Sequence, residues 1–178
     1  MNIWDEELLK PQAEYPCLEF VRFVKRHPRF KTFLDIGCGS GGAHLDFLLD
    51  HDLEPTGLDS SPAAWPDVLG DVQDPDTWDR LGTFDCILDH NTLCHVERPP
   101  FDKIHDALNP GGIFFMVAPT EDTCIRDELR SRSFVRFTSE VEIREMLEMF
   151  SMIRVGYSEY TDHRHGGQVK SYVVEATK

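Results

Sequence analysis

At 178 residues the chain has room for one domain with a full hydrophobic core and is short for two. An apolar fraction of 40% and a charged fraction of 28% are those of a folded globular protein and exclude a disordered chain. A net charge of −14 argues against nucleic acid as a partner, because phosphate binding draws its affinity from lysine and arginine, and it favours basic, neutral or zwitterionic small molecules.

No apolar run approaches the length of a membrane span, and the N-terminal Met1-Asn2-Ile3-Trp4-Asp5-Glu6-Glu7 is acidic where a signal peptide would be basic, so no membrane partner is expected and the expected location is the cytoplasm. The five cysteines, Cys17, Cys38, Cys86, Cys94 and Cys124, are odd in number and form no Cys-x-x-Cys pair. Reduced, buried thiols are predicted, with no disulfide framework and no metal site.

Residues 5–27 read as one or two helices, with Tyr15, Leu18, Phe20, Val21 and Val24 on a partly apolar face and Pro28 closing the stretch. Phe33, Leu34 and Ile36 then form a short apolar strand that runs into a cluster of four glycines, Gly37, Gly39, Gly41 and Gly42. Ala43 to Leu49 follow with helical spacing, giving strand, tight turn and helix. Glycine at such a turn reaches backbone angles closed to other residues and lets a ligand lie against bare main chain. Asp35, two positions before the first glycine, would put a carboxylate beside that ligand. A pyrophosphate would be repelled there, and a ligand with a cationic end attracted.

Leu34-Asp35-Ile36-Gly37-Cys38-Gly39-Ser40-Gly41 resembles the first motif of the class I S-adenosylmethionine-dependent methyltransferases. The resemblance implies a three-layer Rossmann-like α/β fold with a mostly parallel seven-stranded sheet, order 3-2-1-4-5-7-6, its last strand antiparallel. It implies S-adenosyl-L-methionine as cofactor, S-adenosyl-L-homocysteine as product, and a single domain over residues 1–178 whose first 30 residues form a helical cap. In this family an N-terminal helix often folds over the cofactor; Trp4 either shares in that or simply packs under the helix.

Further along, Leu53 to Asp59 read as a second strand ending in an acid about twenty residues past the glycine loop, the expected position of a ribose-binding carboxylate. Asp59 or Ser60 capping a helix is the other use of that position. Pro62 and Pro66 leave no room for a long helix before Asp67-Val68-Leu69-Gly70-Asp71, so the connection is trimmed, and Trp65 is left as an aromatic surface. Gly70-Asp71-Val72 resembles the family's adenine-binding element, with the Asp71 carboxylate accepting from the exocyclic amine.

Phe84 to Leu88 read as a buried strand whose carboxyl end carries Asp89, His90 and Asn91. Strand carboxyl ends line the ligand crevice of an open parallel sheet, so these residues should face the site. His95, in the following Thr92 to Val96 run, is equally suited to packing and to substrate contact. Phe101, Ile104, Ala107 and Leu108 share a helix face, Asn109-Pro110-Gly111-Gly112 ends it, and Ile113 to Ala118 form a strand buried on both faces. Residues 119–137 carry no readable motif beyond a mixed-charge helix. Ser139-Glu140-Val141-Glu142 is a capping box before Ile143, Met146, Leu147 and Phe150. Two strands follow, at about 152–160 and 168–177, joined by a loop from Thr161 to Gly167 that should overhang the site and offer His163 and His165 to a substrate.

The resemblance assigns Asp35, Gly37, Cys38, Gly39, Ser40 and Gly41 to the methionine part of the cofactor, Asp59 and Ser60 to the ribose, and Asp71 and Val72 to the adenine; Asp89 and His90, at the carboxyl end of their strand, are also expected to bind the cofactor. The acceptor is expected to be a small molecule. A base, where the acceptor carries a proton, is sought among Asp89, His90, Tyr160 and His163. Two rivals fit the same residues: a nicotinamide-dependent oxidoreductase, because Gly37 to Gly42 also match G-x-G-x-x-G, and a trimmed, non-catalytic module that only binds the cofactor.

Overall fold

The computed structural model describes residues 15–40, 42–127, 130, 134–163 and 166–178. Trp4, Gly41 and His165 lie outside them. Seven strands make one sheet in the order β3-β2-β1-β4-β5-β7-β6. They are β1 (Thr32–Ile36), β2 (Glu54–Asp59), β3 (Val68–Leu69), β4 (Phe84–His90), β5 (Leu108–Pro119), β6 (Met152–Asp162) and β7 (Gly167–Thr177). β1 to β5 pair in parallel, whereas β7 is antiparallel to both β5 and β6. The expected order is borne out, and so is the antiparallel last strand.

Each face of the sheet buries its own core. The amphipathic helix α1 (Leu18–Arg26) inserts Phe20, Phe23 and Val24 against Phe33, Cys86, Leu88, Phe115 and Val117, and α2 (Ala43–Leu49) adds Leu48. The opposite face carries Leu34, Ile36, Ile87, Phe114 and Met116, covered by α3 (Pro75–Trp78) through Trp78, by α4 (Phe101–Asp106) through Ile104 and by α5 (Glu140–Met146) through Ile143. Ser139 starts α5 with the predicted capping box: its hydroxyl accepts from Glu142 N–H while the Glu142 carboxylate accepts from Ser139 N–H at 2.7 Å.

The trimmed connection after β2 is borne out as well, a single 3-10 turn (Pro62–Ala64) ahead of the two-residue β3. Boundaries moved in three places. β4 continues through Asp89 and His90, because both still pair with β5. The predicted break at Asn109 to Gly112 is absorbed into β5 as a bulge, where the register jumps from Phe84↔Leu108 to Cys86↔Ile113. There a Cβ on Gly112 would sit 2.9 Å from the Asn109 carbonyl oxygen. The last loop is shorter than expected, since Thr161, Asp162 and Gly167 pair within β6 and β7.

Candidate functional site

Strand carboxyl ends from β1, β2 and β4 meet at one edge of the parallel sheet, where the glycine loop crosses from β1 to α2. Gly37 leads the loop with φ +70°, and a Cβ there would lie 2.1 Å from Thr92 Oγ1. Only glycine satisfies both demands. Three of the loop's amides point into the protein. Gly37 and Cys38 N–H both donate to the Leu58 carbonyl, at 2.7 and 3.2 Å, and Gly39 N–H donates to Asp59 Oδ2 at 3.1 Å. A pyrophosphate cradle needs such amides turned outward. Three of them are committed inward here, which disfavours a dinucleotide.

Beneath the loop lies Asp35, 3% exposed. The pairing Asp35↔Leu88 puts it on the α1 face of the sheet, and strand alternation puts His90 on that face too. His44, in the first turn of α2, stands between them. Its Nδ1 is 3.6 Å from Asp35 Oδ2, its ring meets His90 edge-to-face at 5.1 Å, and Phe20 of α1 packs against it at 5.3 Å. Burial drives the Asp35 carboxyl upward and His44 opposes that. Burial also works against a charged His44 ring, yet the adjacent Asp35 carboxylate and the Cys17 side chain prevail and lift it to about 9. The 3.4 Å approach of Cys17 N–H to Nε2 favours the neutral ring, but it is long and loses to the carboxylate. His90 is pushed down to about 4, by burial first and then by the neighbouring His44 charge, so it is neutral.

Asp89 faces the other way, paired with Ile36. It is fully buried: Oδ1 accepts from the N–H groups of Thr92 and Leu93 at 2.9 and 3.0 Å, whereas Oδ2 has no partner. Burial pushes it up to about 7. Asp59, at the end of β2, takes Ser61 N–H on Oδ1 at 2.8 Å and Gly39 N–H on Oδ2, leaving each oxygen a lone pair for a hydroxyl. The helix-capping role considered for Asp59 or Ser60 falls to Ser61, whose Oγ accepts from Ala63 N–H. Ser60 itself is exposed beside it.

Asp71 is exposed next to β3, its Oδ1 accepting from Gln73 N–H at 2.9 Å, and the buried Val72 is pinned by Trp78 Nε1–H donating to its carbonyl at 2.8 Å. Trp65, in the connection from Asp59 to Asp71, has a left-handed conformation, φ 53°, and is 89% exposed. Cys38 is half-buried and its thiol is pushed up to about 12 by burial and by Asp35, Asp59 and Asp67, so it packs rather than reacts. All five cysteines are free; Cys86 and Cys94 are buried as predicted, while Cys17, Cys38 and Cys124 are only half-buried.

Tyr160 and His163 lie elsewhere. Both are exposed at the carboxyl end of the edge strand β6, on the crevice side of the sheet but three strand positions from β4, roughly 14 Å at normal strand spacing. His95 Nδ1 donates to the Phe134 carbonyl at 3.0 Å, a packing role. Sequence reasoning missed His44, and the signal for it was available: the second residue of a helix that follows a tight turn comes back over the end of the strand before the turn.

Among the described residues no helix is long and apolar enough to cross a membrane, and no three His, Cys, Asp or Glu side chains are grouped to hold a metal ion. The residues fit S-adenosylmethionine: a buried carboxylate at the loop, a carboxylate with open lone pairs at the end of β2, and a loop that withholds its amides from phosphate.

Comparisons with known proteins agree. A family model described as a methyltransferase domain matches residues 9–163. No curated protein matches the chain. Among solved structures, a SAM-dependent methyltransferase from Archaeoglobus fulgidus superimposes with a TM-score of 0.70 at 13% identity, covering 89% of this chain and 91% of that one. A SAM-dependent methyltransferase from Methanosarcina mazei gives 0.63 at 16%, covering 88% and 96%. The 1,6-didemethyltoxoflavin-N1-methyltransferase of Burkholderia thailandensis gives 0.60 at 20%, covering 90% and 77%. Identities this low establish a shared fold, and the family match over most of the chain adds kinship: the chain belongs to the methyltransferase domain family, as a class I S-adenosylmethionine-dependent methyltransferase.

Proposed function

We propose that the chain transfers a methyl group from S-adenosylmethionine to a small-molecule acceptor, working as a single cytoplasmic domain. The observation that carries the reading is the pairing of a buried Asp35 with loop amides turned inward, an arrangement suited to a cation and unsuited to a pyrophosphate. Free thiols fit a reducing compartment.

When bound, S-adenosylmethionine supplies a methyl group activated on a positively charged sulfur. In this reading Asp35 and the Gly37, Cys38, Gly39, Ser40 and Gly41 loop hold the methionine part. Asp59, with Ser60 beside it, accepts from the two ribose hydroxyls, and Asp71 with Val72 receives the adenine, whose exposed flank Trp65 can cover. His90 borders the methyl-bearing end, and Asp89, on the other face of β4, holds the Thr92–Leu93 backbone beside it.

The protein's remaining task is to align the acceptor and exclude water, which His90, Phe20 and the start of α1 do from one side. Where the acceptor carries a proton, His90 is the candidate the crevice favours; Asp89 is fully buried on the opposite face of β4, and Tyr160 and His163 could reach only a long acceptor. His90, being neutral, orients the acceptor by hydrogen bonding.

The experiment is a thermal-shift comparison followed by an acceptor screen. Stabilisation by S-adenosylhomocysteine, with none by NAD or NADP, is expected, and the converse refutes the reading. Labelled methyl transfer to amines, thiols, phenols or carboxylates then separates the enzyme from a binding module, which would bind without transfer.

A further inference from the structure

The Asp35 carboxylate is almost closed off from water, and the cationic group that meets it is His44. The other charge acting on it, Asp59 from β2, is itself an acid. His44 is faced by Asp35 from β1, His90 from β4, and Cys17 with Phe20 from the α1 region, while Glu19 of α1 acts on His90. His90 is neutral and adds no charge. A ligand that brings a positive group to Asp35 through the glycine loop therefore meets a carboxylate already compensated by an imidazolium.

We infer that His44 is a positioning residue that stands in for the cofactor's positive charge: its imidazolium neutralises Asp35 until the cofactor arrives, and binding then expels one His44 proton to solvent. The inference rests on the reading that this site takes S-adenosylmethionine. The balance is simple. The Nε2–H proton leaves to buffer, the ring keeps its Nδ1–H towards Asp35, and the carboxylate stays ionised beside the incoming cation. The freed Nε2 lone pair then accepts properly from Cys17 N–H, which in the structure approaches it at 3.4 Å. Cysteine 17 immediately precedes α1, so loss of the proton draws the start of that helix onto the loaded site. Cofactor binding and closure by the N-terminal helix are thus linked through one ring. Affinity rises with pH through the range in which free His44 titrates.

The test measures protons rather than turnover. S-adenosylhomocysteine, which carries the ammonium group, and S-adenosylmethionine, which adds the sulfonium, are titrated calorimetrically into the whole protein at pH 7.5 in three buffers of different ionisation enthalpy. The ligand's own α-amino group titrates near this pH, so the quantity read is the difference between wild type and His44→Gln, in which that contribution cancels. Glutamine keeps a hydrogen bond to Asp35 and cannot titrate. Wild type should release at least about half a proton more per ligand than the variant. Equal proton counts overturn the inference while leaving the cofactor reading intact; wild type that binds neither ligand overturns the cofactor reading instead. Should the variant fail to fold or to bind, NMR titration of the labelled His44 ring in wild type decides. Its titration should move to lower pH on saturation with S-adenosylhomocysteine, and an unmoved titration overturns the proposal.

Discussion

Replacing Asp89 by asparagine should stabilise the protein above neutral pH. The side chain is fully buried, its Oδ1 serves two backbone N–H groups, and its Oδ2 serves none, so ionisation places a half-satisfied charge in the interior. Burial lifts it from 3.8 to about 7. Between those values the folded protein keeps a proton that the unfolded chain has lost, so stability falls as pH rises from about 4 to 7 and is level above. A separation of about three pKa units, at 1.36 kcal/mol each, sets a ceiling of roughly 4 kcal/mol. Asparagine keeps the accepting oxygen and carries no charge. The advantage of Asp89→Asn over wild type should therefore grow by about 2–4 kcal/mol between pH 4 and pH 8. Urea unfolding followed by circular dichroism at four pH values measures it. His90, whose depressed pKa costs stability as pH falls from 6.5 towards 4, and His44, whose raised pKa contributes below 6.5 and is lost towards 9, are present in both proteins and cancel in the difference. A difference that does not change with pH, or that shrinks as pH rises, refutes the reasoning.

Asp59→Ala should weaken S-adenosylhomocysteine binding by about 1–3 kcal/mol by calorimetry, the cost of unpairing hydrogen bonds to a carboxylate; unchanged affinity removes Asp59 from the ribose site. Gly37→Ala should cost about 2–5 kcal/mol in chemical denaturation, combining a left-handed backbone with the 2.1 Å clash against Thr92. Adding Thr92→Gly should recover the clash part alone, so full additivity of the two changes would argue against the contact. Trp78→Phe should cost about 1 kcal/mol of stability by leaving the Val72 carbonyl without its indole donor, and should weaken cofactor binding by less than Asp59→Ala does.

Much of the fold could be read from periodicity and punctuation. The glycine cluster after Phe33 to Ile36, the doubly buried run Ile113 to Ala118 and the capping box at Ser139 each carry a local signature that tertiary context did not override. The errors were of reach. Hydrogen-bond ladders extended β4 to His90 and carried β5 back through Asn-Pro-Gly-Gly, because pairing partners across the sheet decide where a strand ends. The site was legible where a single residue has a single job, as at Gly37. It was opaque where function depends on two elements meeting. His44 looked like one more position on a helix until α2 folded back over β1, and the candidacy of Asp89 hid the fact that it points away from Asp35. Tyr160 and His163 stand at the carboxyl end of the edge strand β6, and strand periodicity carries no measure of its lateral distance from β4.

The position of β7 has a consequence for how the molecule is made. Residues 167–177 are inserted between β5 and β6, contributing both of the antiparallel ladders, so neither neighbour can complete its pairing until those residues have been synthesised. Up to that moment β5, apolar on both faces, offers an open edge to any extended strand nearby. Nascent chains of this protein are therefore most vulnerable to misassembly between the synthesis of β5 and that of β7, and a chaperone's protection should matter most while β5 waits for its partner.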